Sequence, residues 1–337
     1  MLRRLLLLCG LLVLPAGPAA EEDATTCSPS DPTTCSPSDS AADAALVDWA
    51  AAADGVVLNV TVGRFAAEGR GLAAAGPVKR GEMLSWIPRA HALSMGTTAL
   101  PASARRLLES RVAAFTKGTG WVNNAEPLIH LAVLLVFEES LGDGSAFSAY
   151  TKSLPETPPP NAATWTARQL RLLKGFIDHA HIGSICPSQV DENLGALAAM
   201  APPHQPETLA KFAGEAAADL RREKAVWACA VVMSRYYGDA LYPLSDMANH
   251  DPTSGFAQDT LPFSFDPACL PPMLECRFES GECRNVNDMY KANAKCADDG
   301  SHMGRGAVAL RDFASGDQVF DYYGSFDNVQ MLAQCTF

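Results

Sequence analysis

Positive charge is in short supply in this 337-residue chain: 26 Lys and Arg stand against 38 Asp and Glu, for a net charge of -12. That balance excludes a general affinity for the nucleic-acid backbone, which depends on Lys and Arg neutralising phosphates. Long apolar runs are also scarce. The stretch from Leu5 to Leu14 is too short to cross a bilayer as a stable helix, so no stable membrane anchor is expected. The cysteines of the cluster Cys269, Cys276, Cys283 and Cys296 lack the spacing of two to four residues found between ligands of structural zinc sites. Six residues separate each of the first three, and no metal site is expected. Hydrophobic content of 48% and charged content of 19% describe an ordinary globular protein, long enough for one large core or two smaller ones.

The first twenty residues have a three-part layout. Arg3-Arg4 precede the Leu5–Leu14 stretch, and Pro15-Ala16-Gly17-Pro18-Ala19-Ala20 supplies small residues where a peptidase can cut. Residues 1–20 therefore read as a secretory signal peptide, placing the chain in the secretory pathway or outside the cell. In an organism with complex plastids the same layout opens a two-part plastid address, which is the alternative location. In an oxidising compartment the four clustered cysteines are expected to pair among themselves as disulfides, in a connectivity that their spacing does not fix. An eight-residue tandem repeat follows, Thr25 to Pro32 and Thr33 to Ser40, rich in Ser, Thr, Pro and Asp. With almost nothing apolar it cannot offset its ordering entropy by burial, so residues 21–54 read as a low-complexity linker and lead-in.

From Gly55 the pattern turns to short β-like runs. Val56-Val57-Leu58-Asn59-Val60-Thr61-Val62 is rich in β-branched residues, and Met83-Leu84-Ser85-Trp86-Ile87 ends at Pro88. Between them the glycines of Glu68-Gly69-Arg70-Gly71 predict a tight turn with backbone N–H groups open to a ligand. From about 93 to 228 the reading is helical: Leu128–Phe137 is apolar nearly all round, as in a buried helix, and Trp165–His179 is amphipathic. His179 and His181 are expected at the surface and not as metal ligands. Pro252 to Met303 is rich in Pro, Gly and Cys and reads as an insertion, after which Gly306–Leu310 is a buried-strand candidate.

Two islands carry the chemistry. Ser234-Arg235 is followed by Asp246-Met247-Ala248-Asn249-His250, and near the end come Gly316-Asp317-Gln318-Val319-Phe320-Asp321-Tyr322-Tyr323-Gly324 and Asn328. An Asn-His pair alone is usually only a turn; the two islands in this order are more specific. Together with Glu68–Leu72, Arg80–Pro88, and Leu128–Glu139 followed by Ser145–Tyr150 and Leu154-Pro155-Glu156, they resemble the SET-domain protein methyltransferases. The resemblance is to the subgroup that includes Rubisco large-subunit lysine methyltransferase and the actin-histidine methyltransferase. It spans about Gly55 to Phe337.

The resemblance implies an α+β fold: small β-sheets around a threaded C-terminal segment, with a large helical insert. Residues 55–337 would form the SET domain, with the helical insert at about 93–228 and the Cys-rich insertion at about 252–303. It further implies S-adenosyl-L-methionine as cofactor, bound by Glu68, Gly69, Gly71, Leu72, Arg235, Asn249 and His250, with Tyr323 as the catalytic tyrosine near the transferred methyl. In this mapping Arg235 pairs with the cofactor carboxylate, a task suited to a planar guanidinium. Asn249 and His250 meet the amino group and the adenine, His250 through its backbone, and Asp246 fixes the turn. The expected activity is protein-lysine N-methylation, so the expected partner is a protein with a lysine acceptor. A histidine-directed enzyme and a catalytically silent SET-like binding module are the alternatives. Two departures stand out. The relatives commonly end the domain in Tyr-Gly-Phe, where this chain has Cys335-Thr336-Phe337. They also continue into a helical substrate-binding domain, so their substrate choice does not carry over.

Overall fold

The computed structural model describes residues 41–66, 69–119, 125–172, 178–202, 204–250, 260–265 and 303–321. The Cys-rich cluster Cys269, Cys276, Cys283 and Cys296, and residues 1–40, lie outside the described residues.

Two four-stranded sheets carry the β structure. One has the order β1 (Val57–Leu58), β4 (Met83–Pro88), β7 (Met303–Ala309), β6 (Thr260–Phe265); the other has β2 (Val60–Phe65), β3 (Gly69–Ala74), β8 (Gln318–Asp321), β5 (Asn249–His250). All pairings are antiparallel except β5 with β8, where Asn249 lies beside Phe320 and His250 beside Asp321 in a parallel register. The expected single run from Val56 to Val62 is divided at Asn59. Its N–H and Nδ2 bond Leu84 O and Met83 O of the first sheet at 2.9 and 2.8 Å, while its own carbonyl accepts Ala75 N at 2.9 Å. One residue thus hands the chain from one sheet to the other.

The expected tight turn at Gly69–Leu72 is instead the opening of strand β3, with Arg64 opposite Arg70 and Phe65 opposite Gly69. Gly69 enters that strand at φ +70°, a conformation that other residues adopt only under strain. The Pro252–Met303 insertion contains strand β6. Pro262 cannot donate to a ladder, and β6 sits at the edge of its sheet, where a missing donor is tolerated.

The helical region shares its main hydrophobic core with residues of both sheets, and a smaller cluster of Ile87, Ala92, Ala240 and Tyr242 lies apart from it. Helix α2 (Ala102–Thr119) precedes α3 (Ala125–Leu141), in which every residue from Leu128 to Glu138 is buried. Each fully buried Leu or Ile there contributes ~1.5–3 kcal/mol, so apolar burial outweighs any amphipathic preference. Glu138 is tolerated at the centre because it accepts from Thr98 Oγ1 (2.6 Å), Ala99 N (2.9 Å) and Ser145 Oγ (2.6 Å). Helices α4 (Ser148–Ser153), α5 (Ala167–Leu172), α6 (Asp178–Ala198) and α7 (Ala218–Met233) complete the layer. A disulfide between Cys186 of α6 and Cys229 of α7, both buried, ties these two helices. Neither cysteine belongs to the downstream cluster that stands out in the sequence.

Helix α1 (Ala41–Ala51) extends the packed structure upstream of Gly55, into the stretch read as lead-in. Asp43, Leu46 and Ala50 face inward at helical spacing, and Trp49 Nε1 donates to Ala146 O at 3.1 Å beside α4. No helix among the described residues is long and apolar enough to cross a membrane.

Candidate functional site

Helix α7 ends at Met233, and Arg235 N still bonds back to Val232 O at 3.0 Å, so the helix C-terminus fixes where Arg235 departs. The chain then runs through Leu241–Leu244 and folds at Leu244, the only non-glycine residue with positive φ among the described residues. Its φ of 68° and ψ of -57°, with Ser245 N bonded to Pro243 O at 3.0 Å, form the rare, strained γ-turn. A buried leucine held there is stored strain directly before the Asp246–His250 island.

Asp246 is the hub of the site. Its side chain has no exposure to solvent and accepts the Tyr150 hydroxyl from α4. Arg235 Nη1 approaches its carbonyl at 3.3 Å and its Oδ1 at 3.5 Å, long contacts for a guanidinium. Burial pushes the Asp246 carboxyl up to about 6, against the opposing pull of Arg235, the Tyr150 hydroxyl and Arg70. Burial, then the Asp246 carboxylate, raises Tyr150 well above the ordinary tyrosine value. Arg235 Nε is buried without a hydrogen-bond partner. Arg235 thus keeps hydrogen-bonding capacity that its contacts with Asp246 do not use.

Three residues on, Asn249 crosses to the glycine strand. Its Nδ2 donates to Arg70 O at 3.3 Å, and a Cβ at Gly71 would lie 2.4 Å from the same nitrogen. Gly71 is therefore required for this close approach, while the Cβ position of Gly69 faces open space within 4 Å. Arg70 sits between the two glycines. Its Nη1 donates to Ser153 O at 2.5 Å, its Nη2 pairs with Asp43 of α1, and its Nε is buried without a partner. Burial lowers the Arg70 pKa, Asp43 opposes that, and the charge of Arg235 lowers it further.

Beside this cluster a pocket opens between the two sheets, lined among others by Ser85, Ser245, Ala248, Arg305 and Asp321. Asp321 pairs with Arg305 and accepts the Tyr237 hydroxyl at 3.0 Å, and the Arg305 guanidinium lies 3.7 Å from the Tyr237 ring centre. The buried Ser245 hydroxyl has no hydrogen-bond partner.

Of the residues read from sequence, Gly69, Gly71, Leu72, Arg235 and Asn249 lie together, with the backbone of His250 on β5. Glu68 and Tyr323 lie outside the described residues. Asp246, expected to fix the turn, bonds Tyr242 O through its backbone N–H at 3.0 Å, while its side chain engages Tyr150 and Arg235. Sequence reasoning passed over Tyr150, Arg70 and Asp43; the charged residue between two glycines was the one available signal. Among the described residues no group of three His, Cys, Asp or Glu is placed to hold a metal ion.

No protein-family model matches the chain, and no curated protein matches it. Solved structures do. Rubisco LSMT bound to AdoMet is similar at 15% identity and a TM-score of 0.51, over 88% of this chain and 56% of that one. The SET domain of LSMT bound to lysine and AdoHcy gives 15% and 0.54, over 88% and 57%. Rubisco LSMT bound to sinefungin and monomethyllysine gives 14% and 0.51, over 88% and 55%. The chain thus spans a little over half the length of the structures it matches. The likeness to these solved structures shows that this chain has the SET fold, here two small sheets with a helical layer between β4 and β5.

Proposed function

We propose that the chain is an S-adenosylmethionine-dependent protein methyltransferase with lysine as its acceptor. The observation that carries this reading is the meeting of two distant islands: Asn249 reaches Arg70 O and Gly71 within a SET fold, three residues after Asp246 receives Arg235. The similar solved structures hold AdoMet, AdoHcy or sinefungin, and two of these three hold lysine or monomethyllysine.

The residues present fit this cofactor. Arg235, with its unpartnered Nε, would take the carboxylate; Asn249, whose Nδ2 is committed to Arg70 O, keeps Oδ1 to accept from the ammonium. Gly69 leaves the main chain uncovered beside it, Gly71 gives Asn249 room to sit against the strand, and the His250 backbone would meet the adenine. When bound, S-adenosylmethionine supplies a methyl carbon on a positively charged sulfur. The protein's tasks are alignment, exclusion of water and keeping the acceptor amine unprotonated. Tyr323, two residues past the end of β8, would orient that amine. The sheet-to-sheet pocket, lined by Leu72 and Ser245 and with Arg305 paired to Asp321, would receive the acceptor.

The Cys186–Cys229 disulfide supports work in an oxidising compartment, reached through the signal at residues 1–20. The test is transfer of a radiolabelled methyl group to proteins extracted from that compartment, followed by acid hydrolysis and amino-acid analysis. Label in methyl-lysine supports the proposal; label in methylhistidine alone replaces the acceptor; no label with any extract favours a silent binding module.

A further inference from the structure

The geometry points to Asp43 as a positioning residue for the ligand site: through Arg70, the helix preceding the first strand sets the affinity for the cofactor. The inference rests on the methyltransferase reading and adds to it a residue outside the stretch that the sequence assigned to the domain.

The chain of contacts is short. Asp43 lies in the first turn of α1 and is buried. It holds Nη2 of Arg70, while Ser153 O, at the end of α4, holds Nη1 at 2.5 Å. Both ends of the guanidinium are therefore fixed by elements outside the sheet. The same residue's main-chain carbonyl receives Asn249 Nδ2 at 3.3 Å, and its neighbour Gly71 lies flush against that nitrogen. Any rotation of Arg70 about the strand moves the surface on which Asn249 rests.

Charge makes Asp43 more than a tether. Arg70 and Arg235 repel each other across the site, and Asp43 opposes that repulsion on the Arg70 side, as Asp246 does beside Arg235. With Asp43 neutral, a largely buried guanidinium would face a second one with weaker compensation, and it would relax toward solvent. The Arg70 carbonyl and then Asn249 would follow. Arg235 keeps its own carboxylate and its place at the end of α7, so the loss would fall on ligand affinity and not on the reacting groups.

Asp43→Asn keeps the side-chain shape and removes the charge. Calorimetric titration with S-adenosylmethionine should show Kd raised about tenfold, the size of coupling usual for residues in one network. KM for the cofactor should rise in parallel, with kcat and the acceptor's KM within about twofold. Asp43→Glu, which restores the charge, should recover most of the affinity. In an Arg70→Met background the Asp43→Asn change should have no further effect on Kd, because its route is gone. A merely structural ion pair gives a different pattern, a lowered Tm with Kd unchanged, and that pattern overturns the inference. Should Asp43→Asn fail to fold, Arg70→Lys provides the reading: unchanged affinity in that folded variant overturns the inference equally. If the parent protein itself binds no S-adenosylmethionine, the methyltransferase reading fails and takes this inference with it; if the parent binds and Asp43→Asn binds as well, this inference alone fails.

Discussion

Asn249 and Gly71, 178 positions apart, are in such close contact that a single added carbon on Gly71 would come within 2.4 Å of the Asn249 amide nitrogen. The contact joins the β3 glycine strand to the β5 island and defines the floor of the proposed cofactor site. Gly71→Ala should therefore displace Asn249 and weaken S-adenosylmethionine by about tenfold, the loss of one hydrogen bond to a charged group. The measurement is a binding titration of the folded variant, and unchanged affinity would remove the contact from the site.

The pH dependence of stability should carry the signature of Asp246. Its folded value, raised to about 6 from the ordinary 3.8, means that the folded state binds the proton more tightly than the unfolded chain. The resulting stabilisation is fully present below about pH 4 and is lost as pH rises through about 6, on the order of 3 kcal/mol for this group alone. Urea unfolding of parent and Asp246→Asn between pH 4 and 7 isolates it by difference. Parallel curves for the two proteins would show that Asp246 does not titrate in this window.

Opening the Cys186–Cys229 bond frees a loop of 43 residues in the unfolded chain. The chain-entropy relation gives about 4 kcal/mol for that loop. A Cys186→Ser, Cys229→Ser double variant should lose stability on that scale in denaturant unfolding while binding the cofactor like the parent, since neither sulfur reaches the site. Mass mapping of the oxidised parent should show this pair linked, together with pairing among Cys269, Cys276, Cys283 and Cys296. Free thiols at 186 and 229 in the oxidised protein would contradict the first assignment.

Much of this architecture was legible in the sequence because local signals agreed with the packing. Leu128–Phe137 is apolar on every side and became the central helix; Met83–Ile87 became a strand buried on both faces. Ser234-Arg235 and Asp246–His250 stood out as islands in the sequence, and the structure brings Arg235 against Asp246 and Asn249 against Arg70. What stayed hidden depended on distant partners. Helix α1 is mostly alanine with a weak amphipathic pattern and follows a polar repeat, so its inward face is evident only where α4 and Arg70 meet it. Strand β6 carries Pro262, which argues against a strand unless the edge position is known. Asn59 reads as an interior β residue until its bonds to two sheets are seen. Cys186 and Cys229 have no short spacing to mark them; only the packing of α6 on α7 brings them together.

Tyr323 tests catalysis separately from binding. Tyr323→Phe removes one hydroxyl and keeps the ring, so cofactor affinity should change by less than about 1 kcal/mol, because the lost contact is to the reacting amine. Turnover should fall by about two orders of magnitude or more, the scale of a positioned polar group in a transition state. Radiolabelled methyl transfer by the two proteins decides it; equal incorporation would take Tyr323 out of the mechanism.

The central claim, that these residues form an S-adenosylmethionine site, is tested most directly by calorimetric titration of the protein with that cofactor alongside Arg235→Ala. The parent should show saturable binding at one site. The variant, folded but without the guanidinium that meets the carboxylate, should bind more weakly by about 1.5–3 kcal/mol, some ten- to 150-fold in Kd. No detectable binding by the parent at millimolar cofactor, or equal binding by the two proteins, would contradict the account.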